Sequence, residues 1–127
     1  MMIRGSCLCG DVTFEVHGDI SQPVACHCGQ CRRQSGHFWA SSSVPDDRLH
    51  ITRDDGLTWY SSSDIARRGF CKTCGSFLFW KHNEETKTSF SMGALAAPTG
   101  ARLGRHIFVD DKGDYYDITD GLPQSGL

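Results

Sequence analysis

Seven cysteines in a chain of 127 residues fall into three tight groups, and their spacing is that of metal ligands. The groups are Cys7-Leu8-Cys9-Gly10, Cys26-His27-Cys28-Gly29-Gln30-Cys31 and Cys71-Lys72-Thr73-Cys74-Gly75. Their odd number, with no signal-peptide pattern before them, argues against a disulfide framework. In an extended segment residues two apart share a face, so Cys7 and Cys9 present two sulfurs side by side while Leu8 points away. Cys71-x-x-Cys74-Gly75 is instead a tight turn that aims both thiolates at one point. The two pairs together complete a tetrahedron, the closed coordination of structural zinc, and such a metal would fasten the first strand to the middle of the chain. Four thiolates also suit iron.

The middle group, Cys26, Cys28 and Cys31, supplies three thiols. Catalytic zinc often keeps three protein ligands and leaves the fourth position to water or substrate. An open site built from thiolates would accept a substrate thiolate, lower its pKa and make it nucleophilic at neutral pH. Two alternatives stay open. His27, His37 or a distant side chain closes the site and makes it structural, or the thiols form a redox cluster without metal. His27 lies between two ligands on an extended segment, which turns its ring away. His37 is the candidate proton carrier beside the second metal. Arg32 and Arg68 are the substrate-binding candidates, each with a neighbouring arginine (Arg33, Arg67), and solvated surface arginines are the plain alternative. Phe38, Trp39, Phe70, Phe79 and Trp80 read as core, His106 as a packed or surface residue, and His17, His50 and His82 stand in no motif.

The elements that must position these groups are mostly strands. Val12–Val16 alternates apolar and polar residues as a half-buried strand does. Further extended segments run over 37–41 into Val44-Pro45, over 49–52, 57–60, 77–80, 88–93 and 105–109. Asp54-Asp55-Gly56 reads as the turn of a hairpin between 49–52 and 57–60. Helix is confined to a turn or two after Cys31 and a short piece around Ile65–Arg67, since no apolar period of 3.6 residues persists. The class is mainly β, in one domain spanning residues 1–127 with 121–127 as a loose tail. Hydrophobic residues are 39%, charged residues 22%, and the formal charge is −2, so neither nucleic acid nor an anionic membrane is indicated as a partner. No run approaches the roughly 18 apolar residues of a membrane span, and Met1–Cys7 lacks the apolar stretch of a signal peptide. The expected location is the cytoplasm, for a monomer or a homodimer.

The order of these motifs resembles the glutathione-dependent formaldehyde-activating enzyme family. The resemblance rests on C-x-C-G at Cys7–Gly10, C-H-C-x-x-C-R at Cys26–Arg32, G-x-F at Gly36–Phe38 with Val44-Pro45, F-C-x-x-C-G-S-x-L at Phe70–Leu78, H-I-F at His106–Phe108, and the ending Tyr116–Pro123. It covers nearly the whole chain, although the best-known member is longer. It implies a β-tent fold of short antiparallel sheets, a structural zinc at Cys7, Cys9, Cys71 and Cys74, and a second, catalytic zinc at Cys26, Cys28 and Cys31 that is open to partial occupancy. It further implies glutathione as the small-thiol partner and carbon–sulfur lyase chemistry, the joining of glutathione to formaldehyde as S-(hydroxymethyl)glutathione. A centromere-associated relative carries this kind of domain, so a non-catalytic zinc-binding interaction module is the alternative, with a labile zinc or redox thiol sensor beside it. The reading leans to the enzyme.

Overall fold

Strands carry this fold in a computed structural model that describes residues 1–127. In chain order the elements are β1 (Met2–Ser6), β2 (Val12–His17), β3 (Val24–Cys26), α1 (Gly29–Ser35), β4 (Trp39–Pro45), β5 (Leu49–Asp54), β6 (Leu57–Ser61), β7 (Ala66–Cys71), β8 (Phe77–His82), β9 (Lys87–Ser91) and β10 (Arg105–Ile107), with three short 3₁₀ turns. No helix is long and apolar enough to cross a membrane. The chain divides into two compact units, Met1–Ser21 with Ser42–Gly100, and Gln22–Ser41 with Ala101–Leu127.

The first unit holds a three-stranded sheet in the order β1-β2-β5, antiparallel throughout. Along β2, Val12, Phe14 and Val16 are buried and the residues between them half-buried, the two-residue period of a sheet with one face on a core. The same unit holds β9, β8, β7 and β6, hydrogen-bonded in that order. Phe14 meets Phe79 of β8 edge-on, ring centroids 5.0 Å apart, and each fully buried ring of this kind contributes roughly 1.5–3 kcal/mol. Gly5 makes room for this packing, because a Cβ there would lie 2.2 Å from the Phe14 ring. Cys7 and Cys71 belong to this core cluster together with Val12, Phe14 and Phe79. Two sulfurs are thereby fixed by the core itself.

Three expectations need correction. β5 and β6 do not form a hairpin, because β5 pairs with β2 while β6 pairs with β7. The Asp54-Asp55-Gly56 turn instead carries the chain from one sheet to the other. Gly56 donates its N–H to Asp11 O (3.2 Å), and its carbonyl accepts from Lys72 N–H (2.8 Å). A Cβ on Gly56 would lie 2.7 Å from Cys71 Sγ, so this turn is drawn against the first thiolate cluster rather than folded back. The segment at Ile65–Arg67 is no helix. Ala66 begins β7, which is paired on both sides, by β6 and by β8, and that tertiary pairing overrides local propensity. The helix near Cys31 begins before it, at Gly29, and contains it.

The second unit is built on β3, which pairs antiparallel with the start of β4 (Cys26 opposite Trp39) and parallel with β10 (Cys26 opposite Ile107). α1 follows at once, with Cys28 as its N-cap, and ends at Gly36 in the left-handed conformation, φ 81°. Glycine is the residue that takes that conformation without strain. Within the C-terminal segment, Pro123 O accepts from His106 N–H, and Ser125 N–H donates to His106 O, both at 2.9 Å.

Candidate metal centres

In the first unit Cys7, Cys9, Cys71 and Cys74 offer four sulfurs, all within 4.8 Å of one another. Cys7 and Cys9 Sγ are 3.7 Å apart, and Cys9 and Cys71 Sγ 3.8 Å. A zinc–sulfur bond of about 2.3 Å gives a tetrahedron whose edge is about 3.8 Å. The donor set therefore fits zinc in size, number and chemistry. Backbone groups hold the ligands in place: Val12 N–H donates to Cys7 Sγ (3.3 Å), Cys71 N–H to Ser76 O (2.9 Å) and Gly75 N–H to Cys71 O (2.7 Å). Gly75, at φ 80°, makes the tight knuckle that returns Cys74 toward Cys71. Ser76 Oγ lies 3.2 Å from Cys74 Sγ and accepts Leu8 N–H at 3.0 Å, so one hydroxyl ties both halves of the site together.

The electrostatics of this cluster call for a cation. Hydrogen bonds from the Ser76 hydroxyl and then its backbone N–H pull the Cys74 thiol down to about 5. The backbone contact at Asp11 lowers Cys9, yet burial and the neighbouring thiols Cys7, Cys74 and Cys71 together push it up to about 12. Four adjacent sulfurs cannot all ionise alone, whereas a divalent cation at their centre removes that conflict.

Cys26, Cys28 and Cys31 form the second cluster, three sulfurs within 4.8 Å. The sequence folds this way because β3 ends at Cys26 and α1 starts at Cys28. Cys31 N–H donates to Cys28 Sγ at 3.4 Å, in the manner of a capping side chain. Cys26 and Cys31 are buried, and Cys28 is partly exposed. The thiols of Cys28 and Cys31, then burial, push the Cys26 thiol well above the usual range, a crowding of sulfurs that a bound divalent cation would relieve. No carboxylate or imidazole completes this group as a fourth donor.

His27, inside the motif, is fully engaged elsewhere. It is 1% exposed, and its Nδ1 meets Tyr116 Oη while its Nε2 lies 2.8 Å from His106 Nδ1. His106 Nε2 in turn lies 2.8 Å from Asp120 Oδ2. An ionised carboxylate only accepts. It therefore takes the N–H of His106 Nε2, which leaves His106 Nδ1 to accept from His27 Nε2–H and His27 Nδ1 to accept from the Tyr116 hydroxyl. Burial, then the charges of His106 and His37, holds the His27 pKa below its ordinary value, consistent with a neutral ring. This directed chain ties the segment between Cys26 and Cys28 to β10 and to residues Tyr116–Asp120. His106→Phe would leave the buried His27 N–H without an acceptor, at a cost of about 1–3 kcal/mol read in thermal unfolding. The N–H of Leu122, then His106, keeps the Asp120 carboxyl below its ordinary value. Its stabilising effect is present above about pH 3.9 and is lost as pH falls through the lower folded value. Asp120→Asn should flatten that acid limb of the stability curve by lowering stability at neutral pH, while leaving it close to wild type at pH values below the folded pKa.

The remaining candidates are placed as follows. His37 is exposed, and its ring stands edge-on to Tyr116 at 4.2 Å between centroids. Arg32 lies in the second unit on α1, one residue past Cys31, and its Nε is buried without a hydrogen-bond partner. Arg68 lies in the first unit on β7, 5% exposed, with its guanidinium 5.4 Å from the Phe77 ring centroid. Sequence reading missed the chain from Tyr116 to Asp120. His106 and Asp120 are 14 residues apart with no local motif joining them, and only the H-I-F and Tyr116–Pro123 segments pointed to that region.

Comparison with known proteins adds the following. The family described as glutathione-dependent formaldehyde-activating enzyme matches residues 2–111. An uncharacterized lyase of Schizosaccharomyces pombe is 26% identical over 120 residues, covering 91% of this chain and 84% of that protein. A Podospora anserina protein provisionally named glutathione-dependent formaldehyde-activating enzyme is 29% identical over 83 residues, covering 62% of this chain and 39% of its own length. The crystal structure of a Rhodobacter sphaeroides protein superposes with a TM-score of 0.59 at 21% identity, covering 96% of this chain and 98% of that one, a likeness of fold.

Proposed function

This chain belongs to the glutathione-dependent formaldehyde-activating enzyme family, and we propose that it is a zinc-dependent carbon–sulfur lyase acting on the adduct of a small thiol, glutathione, with formaldehyde. The observation that carries the reading is the second cluster: three sulfurs within 4.8 Å and no fourth donor among them. Its ligands would be Cys26, Cys28 and Cys31, while Cys7, Cys9, Cys71 and Cys74 would hold a structural zinc. Bound at the three-cysteine site, zinc would supply Lewis acidity that lowers the pKa of a thiol sharing it. In the forward direction the glutathione sulfur loses its proton and forms a bond to the formaldehyde carbon, and the carbonyl oxygen gains a proton. The reverse direction breaks that carbon–sulfur bond.

The residues around the cluster have assignable parts in this scheme. The cap of α1 ties the Cys28 sulfur to the backbone N–H of Cys31. The His27–His106–Asp120 chain fixes the backbone between Cys26 and Cys28, so the ligands need little rearrangement when substrate arrives. Arg32, beside Cys31, is the candidate for a glutathione carboxylate, to which a guanidinium binds in a fork. His37 is exposed beside Tyr116 and is the candidate carrier of the proton that moves between sulfur and oxygen. The whole chain, residues 1–127, would work as one zinc-binding domain in the cytoplasm.

The test is exchange between glutathione with 13C-formaldehyde and their hydroxymethyl adduct, followed by NMR. Catalysis predicts that the protein accelerates interconversion without altering the adduct's equilibrium fraction. A rate equal to that of the uncatalysed mixture at all protein concentrations would contradict it.

A further inference from the structure

The outward face of the three-stranded sheet carries donors that neither thiolate cluster uses. Glu15 and His17 are two apart on β2, so strand alternation sets both on the face opposite Phe14 and Val16. His50 of β5 is the cross-strand partner of Glu15. Glu15 Oε1 lies 3.2 Å from His17 Nε2, and the two imidazole rings are 4.5 Å apart between centroids. One ligand atom from each of the three residues lies within 4.8 Å of the others. His50 Nε2 also lies 3.1 Å from Asp47 O, the kind of backbone contact that fixes the ring of a ligating histidine and leaves Nδ1 as its ligand nitrogen.

We propose that Glu15, His17 and His50 form a peripheral, solvent-exchangeable site for a divalent first-row transition-metal cation. Two imidazoles and one carboxylate suit zinc or nickel, whereas magnesium and calcium prefer a cage of oxygens. Three protein ligands leave the remaining positions to water. The ligands stand on two paired strands, so their spacing is set by the sheet rather than by mobile loops. A simple hydrogen bond between His17 and Glu15 accounts for that pair alone. It does not account for a second imidazole brought against the first from the neighbouring strand. Glu15 and His17 are half-buried and His50 is exposed, so a cation has access from solvent.

The experiment uses the full-length, untagged chain, loaded with two equivalents of zinc to fill the thiolate clusters, freed of loosely held metal, and titrated with Ni2+ while amide 1H–15N spectra are recorded. Paramagnetic broadening is expected first at the amides of Glu15, Val16, His17, Leu49 and His50. His17→Ala and, separately, His50→Gln should each weaken Ni2+ binding at least about tenfold, since loss of even an outer-shell partner costs that much. Both positions are on the sheet's outward face, so neither variant opens a core cavity. Broadening confined to residues around Cys31 or Cys71, or binding unchanged in both variants, would overturn the proposal.

Discussion

Cys9→Ser is expected to unfold the first unit at moderate temperature. Cys9 is exposed, so the substitution removes a sulfur without opening a cavity, and its effect reports the metal alone. Structural zinc in small domains carries an apparent binding energy of about 10–16 kcal/mol, as large as the roughly 5–15 kcal/mol of a whole domain's net stability. The site joins residues 62 apart in sequence, Cys9 and Cys71, and Cys71 belongs to the core that Phe14 and Phe79 fill. Losing the metal therefore loosens β7 and the Gly56 turn as well as the first strand. A strong chelator should reproduce the effect in wild type, and thermal unfolding followed by circular dichroism reads both. An unchanged melting curve in the variant and in the chelated protein would remove the structural role.

Cys28→Ser should behave in the opposite way. Serine is a favoured N-cap, so α1 keeps its start, and with the four-cysteine site intact the protein is expected to remain folded under assay conditions, losing only the stability that the second metal contributes. Activity should not survive. With one of three ligands gone, the rate of hydroxymethyl exchange is expected to fall by about 10²-fold or more, the scale of losing a principal transition-state contact. The same NMR exchange assay measures it. Full activity in a folded Cys28→Ser protein would place the chemistry elsewhere. With these outcomes the two substitutions would separate a cluster proposed to hold the fold from one proposed to perform the reaction.

Both clusters were legible in the sequence because the thiolate spacing is local. Cys7-x-Cys9 needs only an extended segment, and Cys28-x-x-Cys31 only a helix start. The strand pattern at Val12–Val16 was equally plain, since alternation over one buried face is a period-two signal. Pairing was not legible. The turn at Gly56 has the composition of a hairpin, and nothing local tells that β5 and β6 belong to different sheets. β7 was hidden because Arg67, Arg68 and Gly69 break any apolar alternation, and it exists by pairing with β6 and β8. The histidines show the same limit. His17 and His50 stand in no motif, yet the β2–β5 register sets them together beside Glu15. His27, His106 and Asp120 become a chain only once β3 and β10 lie side by side.

Zinc stoichiometry by native mass spectrometry, on wild type and Cys28→Ser, tests the central claim most directly. After exchangeable metal has been removed, the two thiolate clusters predict two zinc ions per wild-type chain and one in the variant, with glutathione adding mass only to the two-zinc form. A single zinc in both proteins, or two zinc ions in both with no response to glutathione, would contradict an open, substrate-accepting second site.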